Sequence, residues 1–170
     1  MVKQTAWIER KFKGPEDIGL YPNILERLRG TPARVEDLVK GMPEAKLNLK
    51  LNGKYSLKEH IGHLWVIEEL HIGRLHEYKK GVETLTPADM SNRKTAESNF
   101  NTHRLQDLCA SFRKARAELM EIFDTADEAL VKRTAMHPRL KTPMRFIDIA
   151  FFVAEHDDHH LAIMRRIIVS

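Results

Sequence analysis

Nine histidines in 170 residues, at positions 60, 63, 71, 76, 103, 137, 156, 159 and 160, include two tight clusters. The C-terminal cluster reads Glu155-His156-Asp157-Asp158-His159-His160. On a helical wheel His156 and His160 share one narrow stripe with Ile149, Val153, Met164 and Ile167, so both rings face the core one turn apart. His159 falls at the flank of that stripe, and Asp157 and Asp158 point elsewhere. A buried neutral imidazole has a lone-pair nitrogen that needs a hydrogen-bond donor or a metal. Two imidazoles at i, i+4 can hold one divalent ion, the His-x-x-x-His spacing of zinc proteases. The Glu that follows the first His in those enzymes is Asp157 here. The alternative is a pair of core histidines bonded to backbone or water.

The second cluster, Lys58-Glu59-His60-Ile61-Gly62-His63-Leu64-Trp65, can add a third ligand from a facing helix. Leu57, Ile61, Leu64, His71 and Leu75 define its apolar stripe, and His60 lies nearer the centre of that stripe than His63. Gly62 beside His63 allows close approach of a neighbouring helix, a modest point in favour of His63. The wheel leaves both histidines open. His71, His76, His103 and His137 have no mutual spacing of note and read as solvated or partly buried. Glu68 and Glu69 read as solvated helix charges, with a role beside a metal as the alternative. Cys109 reads as a small buried hydrophobe. No phosphate-binding glycine loop and no Gly-x-Ser-x-Gly elbow is present.

Helices must position these side chains, because no stretch alternates as a strand should. After an irregular segment over residues 1–20 carrying Trp7 and Phe12, helix is expected from Pro22 to Arg29. It resumes after Gly30, with Thr31 as N-cap and Pro32 at the first turn, and continues through Val39. Ser56 and Glu59 have capping-box spacing and open a helix from Leu57 to about Lys80, stopped by Gly81. The polar stretch from Val82 to Asn101 reads as a long crossover. A third long helix spans about Thr102 to Phe123. Thr125 and Glu128 form a second capping box, and Thr142-Pro143 opens the last helix, to about Ile168. The fold class is all-α: one four-helix bundle domain over residues 1–170.

Composition narrows the function. With 28 Lys+Arg against 24 Asp+Glu interleaved along the chain, no block of like charge forms a nucleic-acid footprint. A single cysteine fits a reducing compartment. No apolar run suits a signal peptide or approaches the ~20 residues of a membrane span, which points to the cytoplasm. Phe151, outside the core stripe, offers a face for a homodimer.

These residues resemble the DinB/YfiT-like superfamily from about Ile24 to Ile167. The likeness rests on Tyr55-Ser56-Leu57-Lys58-Glu59-His60-Ile61-Gly62-His63-Leu64, on Glu68 and Arg74, and on Phe112-Arg113-Lys114-Ala115-Arg116. Thr142-Pro143-Met144 and Phe152-Val153-Ala154-Glu155-His156-Asp157-Asp158-His159-His160-Leu161 complete it. The resemblance implies an up-down-down-up bundle with a long crossover, and one divalent metal ion held by His63, His156 and His160. Zn, Ni and Fe are not distinguished, since imidazole suits each. Family members often carry Asp three residues after the first ligand; Val66 stands there, with Glu68 or Glu69 as stand-ins. Characterised relatives include transferases and isomerases that use low-molecular-weight thiols such as bacillithiol or mycothiol, and others called hydrolases. The resemblance thus implies a small-molecule substrate, with a non-catalytic binder as the third reading. A basic rim would favour an acidic thiol, a general base near the ion would favour hydrolysis, and a sealed site would favour the binder.

Overall fold

The computed structural model describes residues 2–170. Its helices are α1 (Tyr21–Arg29), α2 (Thr31–Val39), α3 (Glu44–Leu47), α4 (Leu57–Lys80), α5 (Arg93–Glu97), α6 (Leu105–Asp124), α7 (Glu128–Lys132) and α8 (Phe146–Val169). The hydroxyl of Ser56 accepts from the Glu59 N–H, and the Glu59 carboxylate accepts from the Ser56 N–H, so the expected capping box opens α4. Gly81, at φ +73°, closes it in the left-handed conformation that glycine adopts without strain.

Two other expected caps do not form: α2 has no side-chain cap, and α7 is capped by a different residue. Gly30 stays in the right-handed helical region and Thr31 is already helical, so α1 and α2 run almost continuously. The Thr31 hydroxyl donates instead to Asp157 at 2.8 Å, with the Arg27 carbonyl 3.3 Å away. Pro32 has no N–H to offer the Leu28 carbonyl one turn back, and that carbonyl accepts from Arg116 Nη1 at 3.0 Å. Thr125 does not cap α7: its hydroxyl bonds back to Glu121 and Ile122, and Asp127 accepts from the Leu130 N–H.

Helix directions follow from contacts between distant residues. Tyr21 meets Phe146 and Thr31 meets Asp157, so the α1–α2 unit runs parallel to α8. His63 meets His156 and His60 meets His160, so α4 runs antiparallel to α8. Ser56 at the start of α4 bonds Asn101, just before α6, so α4 and α6 are parallel. The bundle is up-down-down-up, and residues 81–104 form the crossover that makes two consecutive long helices parallel.

The expectation of no strand is corrected. Strands β1 (Thr134–His137) and β2 (Thr142–Arg145) pair antiparallel, with His137 opposite Thr142, and the crossover joins them through the Leu85 N–H to Met136 carbonyl bond. Thr142-Pro143 therefore lies in β2. The last helix begins at Phe146, where Asp148 accepts from the Arg145 N–H at 2.7 Å.

Burial divides the bundle into two apolar clusters. One gathers Tyr78, Phe123 and Phe146; the other gathers Leu57, Ile61, Phe112 and Met164. Between them α4, α6 and α8 bury polar residues: Glu68 and His71, Arg116, and His156, Asp157 and His160. The apolar clusters offset the desolvation that this polar belt costs. Phe151 is half-buried under Phe12 and the Arg27 guanidinium. Among the described residues no helix is long and apolar enough to cross a membrane.

Candidate metal centre

His63 from α4 and His156 and His160 from α8 turn toward one another within the polar belt, exposed by only 5%, 7% and 8%. The Nε2 atoms of His156 and His160 are 3.1 Å apart, and His63 Nε2 lies 3.5 Å from His156 Nε2. One nitrogen from each of the three lies within 4.8 Å of the others. Nitrogens bound at ~2.0–2.1 Å in tetrahedral directions stand about 3.3 Å apart, so the cluster fits one divalent ion with small shifts.

The outer ring nitrogens orient the set. His63 Nδ1 is 3.1 Å from the hydroxyl of Thr95 on α5. His160 Nδ1 is 2.8 Å from His60 Nδ1. A proton on His160 Nδ1, donated to His60, leaves the His160 Nε2 lone pair facing His156 and fixes the His60 proton on Nε2. The α4 histidine nearer the stripe centre thus meets a neighbouring imidazole from outside, and His63 faces the cluster. Gly62 is closely packed, but against the Phe100 ring of the crossover rather than the expected long helix: a β-carbon on Gly62 would lie 2.3 Å from that ring.

Burial holds these imidazoles neutral. Desolvation lowers His60 to about 3 and His63 to about 4, and puts His156 and His160 well below the usual 6.5. Neighbouring imidazoles and, for some, nearby arginines add to the effect, because a second positive charge in this small volume is repelled. Lone pairs are therefore available at neutral pH, which a metal donor requires. His156 Nδ1 and His60 Nε2 are buried without a hydrogen-bond partner.

Glu68 is fully buried, contrary to the reading as a solvated charge. Arg116 donates from Nε to Glu68 at 2.6 Å and from Nη1 and Nη2 to Asp157 at 2.5 and 3.1 Å. Burial alone would raise the Glu68 carboxyl; the Arg116 guanidinium overrides this and holds it below its usual range. The second Glu68 oxygen approaches His71 Nδ1 at 3.5 Å. Glu69 is exposed and paired with Lys94, away from the cluster.

A cavity of about 240 Å³ reaches from the cluster to the surface and is lined by Trp7, Ile67, Leu70 and Phe152 together with His71 and His137. His71 and His137 are 3% and 2% exposed, a correction to their reading as solvated or partly buried. His76 and His103 are exposed. His159 is half-buried at the flank, with Nδ1 3.0 Å from the Gln4 amide. Trp7, from the irregular N-terminal segment, stacks edge-on to His156 with ring centroids 5.1 Å apart. Sequence reading missed Thr95, and it named Arg116, within a segment that carries the family resemblance, and Asp157, beside the core histidines, without the buried ion pair they form.

Among solved structures, YfiT from Bacillus subtilis matches with a TM-score of 0.75 at 18% identity, over 94% of this chain and 93% of that one. It is described as a probable metal-dependent hydrolase with an unusual four-helix bundle topology. A structural-genomics protein from Streptococcus pneumoniae matches with a TM-score of 0.63 at 11% identity, covering 94% of each chain. At these identities the likeness is one of fold. No curated protein matches the sequence. The DinB superfamily model matches residues 27–164, most of the chain, and the chain belongs to that superfamily.

Proposed function

We propose that this protein is a metal-dependent enzyme in which His63, His156 and His160 hold one divalent ion at the base of an open cavity. The observation that carries this reading is the convergence of three buried, neutral imidazoles, with Nε2 atoms 3.1 and 3.5 Å apart across His156. A set of three neutral donors leaves coordination positions free, the arrangement of catalytic rather than structural sites. The ion, when bound, supplies Lewis acidity that acidifies a nucleophile beside it.

The chain's own residues supply the rest. Thr95 and His60 hold two of the rings in the tautomer that presents Nε2. His71, with Nδ1 toward the ionised Glu68, is placed to accept a proton at Nε2 from a nucleophile in the cavity. The wall of Trp7, Ile67, Leu70 and Phe152 limits bulk water. That lining supports a soft thiol as the nucleophile, and hence transfer or isomerisation with a low-molecular-weight thiol. The second reading is hydrolysis, favoured by the His71–Glu68 pair and in keeping with the description of YfiT.

Elemental analysis of untagged protein, followed by parallel screens of thiol S-transfer and ester or amide hydrolysis, tests the proposal. One equivalent of metal and a metal-dependent activity in either screen is the expected result. Folded protein that retains no zinc or nickel after dialysis overturns it.

A further inference from the structure

The β-hairpin and α4 place three nitrogen donor groups on the wall of this cavity, none of them in an ion pair among the described residues. His137 at the end of β1 is 2% exposed, and its Nδ1 accepts the Leu140 N–H at 3.2 Å. That bond fixes the ring proton on Nε2. The Nε2–H is buried, has no partner, and belongs to a residue lining the cavity. Arg74 on α4 is 3% exposed; its Nε and Nη2 both bond the Thr86 carbonyl, at 2.9 and 2.8 Å, while Nη1 has no partner among the described residues. Arg139, in the hairpin turn, forms no ion pair among the described residues, and its guanidinium carbon lies 5.9 Å from the Phe152 ring centroid. Both arginines line the same cavity.

Such a grouping is unfavourable in isolation. Burial lowers His137 to about 4, and the charges of Arg74 and Arg139 push it the same way. Burial lowers both arginines; for Arg74 the Glu77 carboxylate, itself bonded to the Thr86 N–H and hydroxyl, opposes this, and Arg139 adds to the lowering. The acid on this wall, Asp89, is already engaged by the Ser91 N–H and hydroxyl and the Arg93 N–H. An unpaired buried N–H donor on a wall shared with two cations is costly unless an anion completes it.

We infer that Arg74, His137 and Arg139 form a receptor for an oxyanion, a carboxylate or phosphate group carried by the small-molecule substrate. Two guanidiniums offer charge-assisted N–H donors in a planar fork, and the His137 Nε2–H adds a directed neutral donor. The substrate class is therefore a small acidic metabolite whose anion sits at the hairpin while its reacting end reaches the histidine cluster. The inference rests on the proposed reaction only in assigning anion and reacting group to one molecule.

Calorimetric titration of inorganic phosphate and, separately, succinate into the full chain, with and without zinc, tests it. Arg139→Met is the principal variant, since Arg139 is half-exposed in a turn; Arg74→Met is the second, and Arg104→Met on the surface is the control. At least one anion is expected to bind at a single site, and which one it is separates carboxylate from phosphate recognition. Arg139→Met and Arg74→Met are each expected to weaken it about tenfold or more, the scale of one charge-assisted hydrogen bond, leaving zinc affinity and the control unchanged. Equal anion affinity in wild type and Arg139→Met overturns the inference, as does anion binding that requires zinc and ignores both arginines. Loss of zinc binding with intact, arginine-dependent anion binding removes the metal reading and leaves this one standing.

Discussion

His60 Nδ1 and His160 Nδ1 lie 2.8 Å apart, joining the histidine cluster to a fourth imidazole that does not face its centre. Such outer hydrogen bonds fix a ligand's tautomer, and their loss costs about 10–100-fold in metal affinity. His60→Phe should weaken zinc binding by that order while keeping the bundle folded. His63→Ala should abolish high-affinity binding. Competitive zinc titration of the two variants, with circular dichroism as the folding control, checks the ordering. Stronger metal loss from His60→Phe than from His63→Ala would reverse the assignment.

On α8 the contrast is between core and flank. His156→Ala and His160→Ala should each lose most zinc affinity, whereas His159→Ala, whose ring meets Gln4 at the surface, should lose little. Equal losses in all three variants would show that the face of α8 has been misassigned.

Arg116 is bonded to Glu68, Asp157 and the Leu28 carbonyl, all within the bundle. Arg116→Met leaves two buried carboxylates without their cation, and breaking a buried pair in this way costs about 3–5 kcal/mol. Urea unfolding should show that loss at neutral pH. A change below ~1 kcal/mol, the scale of an exposed ion pair, would show that water already solvates the pair.

Acid should destabilise the metal-free protein early. His60 is lowered to about 3 and His63 and His137 to about 4, against 6.5 when unfolded. Groups with depressed folded values bind fewer protons when folded, so stability rises with pH across this window. Their contribution is present above about 6.5 and is lost as pH falls toward 4. The thermal midpoint of metal-free protein should therefore drop over that range, and the drop should be shallower in His60→Phe. A flat midpoint between pH 6.5 and 4 would contradict the burial of these rings.

Sequence alone determined what depends on local spacing. The capping box at Ser56 and Glu59, the stop at Gly81 and the shared face of His156 and His160 are interactions within a turn or two of one helix, so periodicity reads them directly. The hairpin was not legible, because four-residue strands are too short to show alternation and Thr142-Pro143 imitates a helix start. Thr125 and Thr31 matched cap signatures, yet Asp127 lay closer to α7 and Asp157 reached the Thr31 hydroxyl from another helix. The choice between His60 and His63 depends on how α4 is rotated against α8, and the wheel of one helix has no information about its partner. Glu68, Arg116 and Asp157 stand far apart in the chain and become one buried network only where α4, α6 and α8 cross at a common level. His137 and Arg139 reach the cavity because tertiary pairing with the crossover brings the hairpin to the mouth of the histidine cluster.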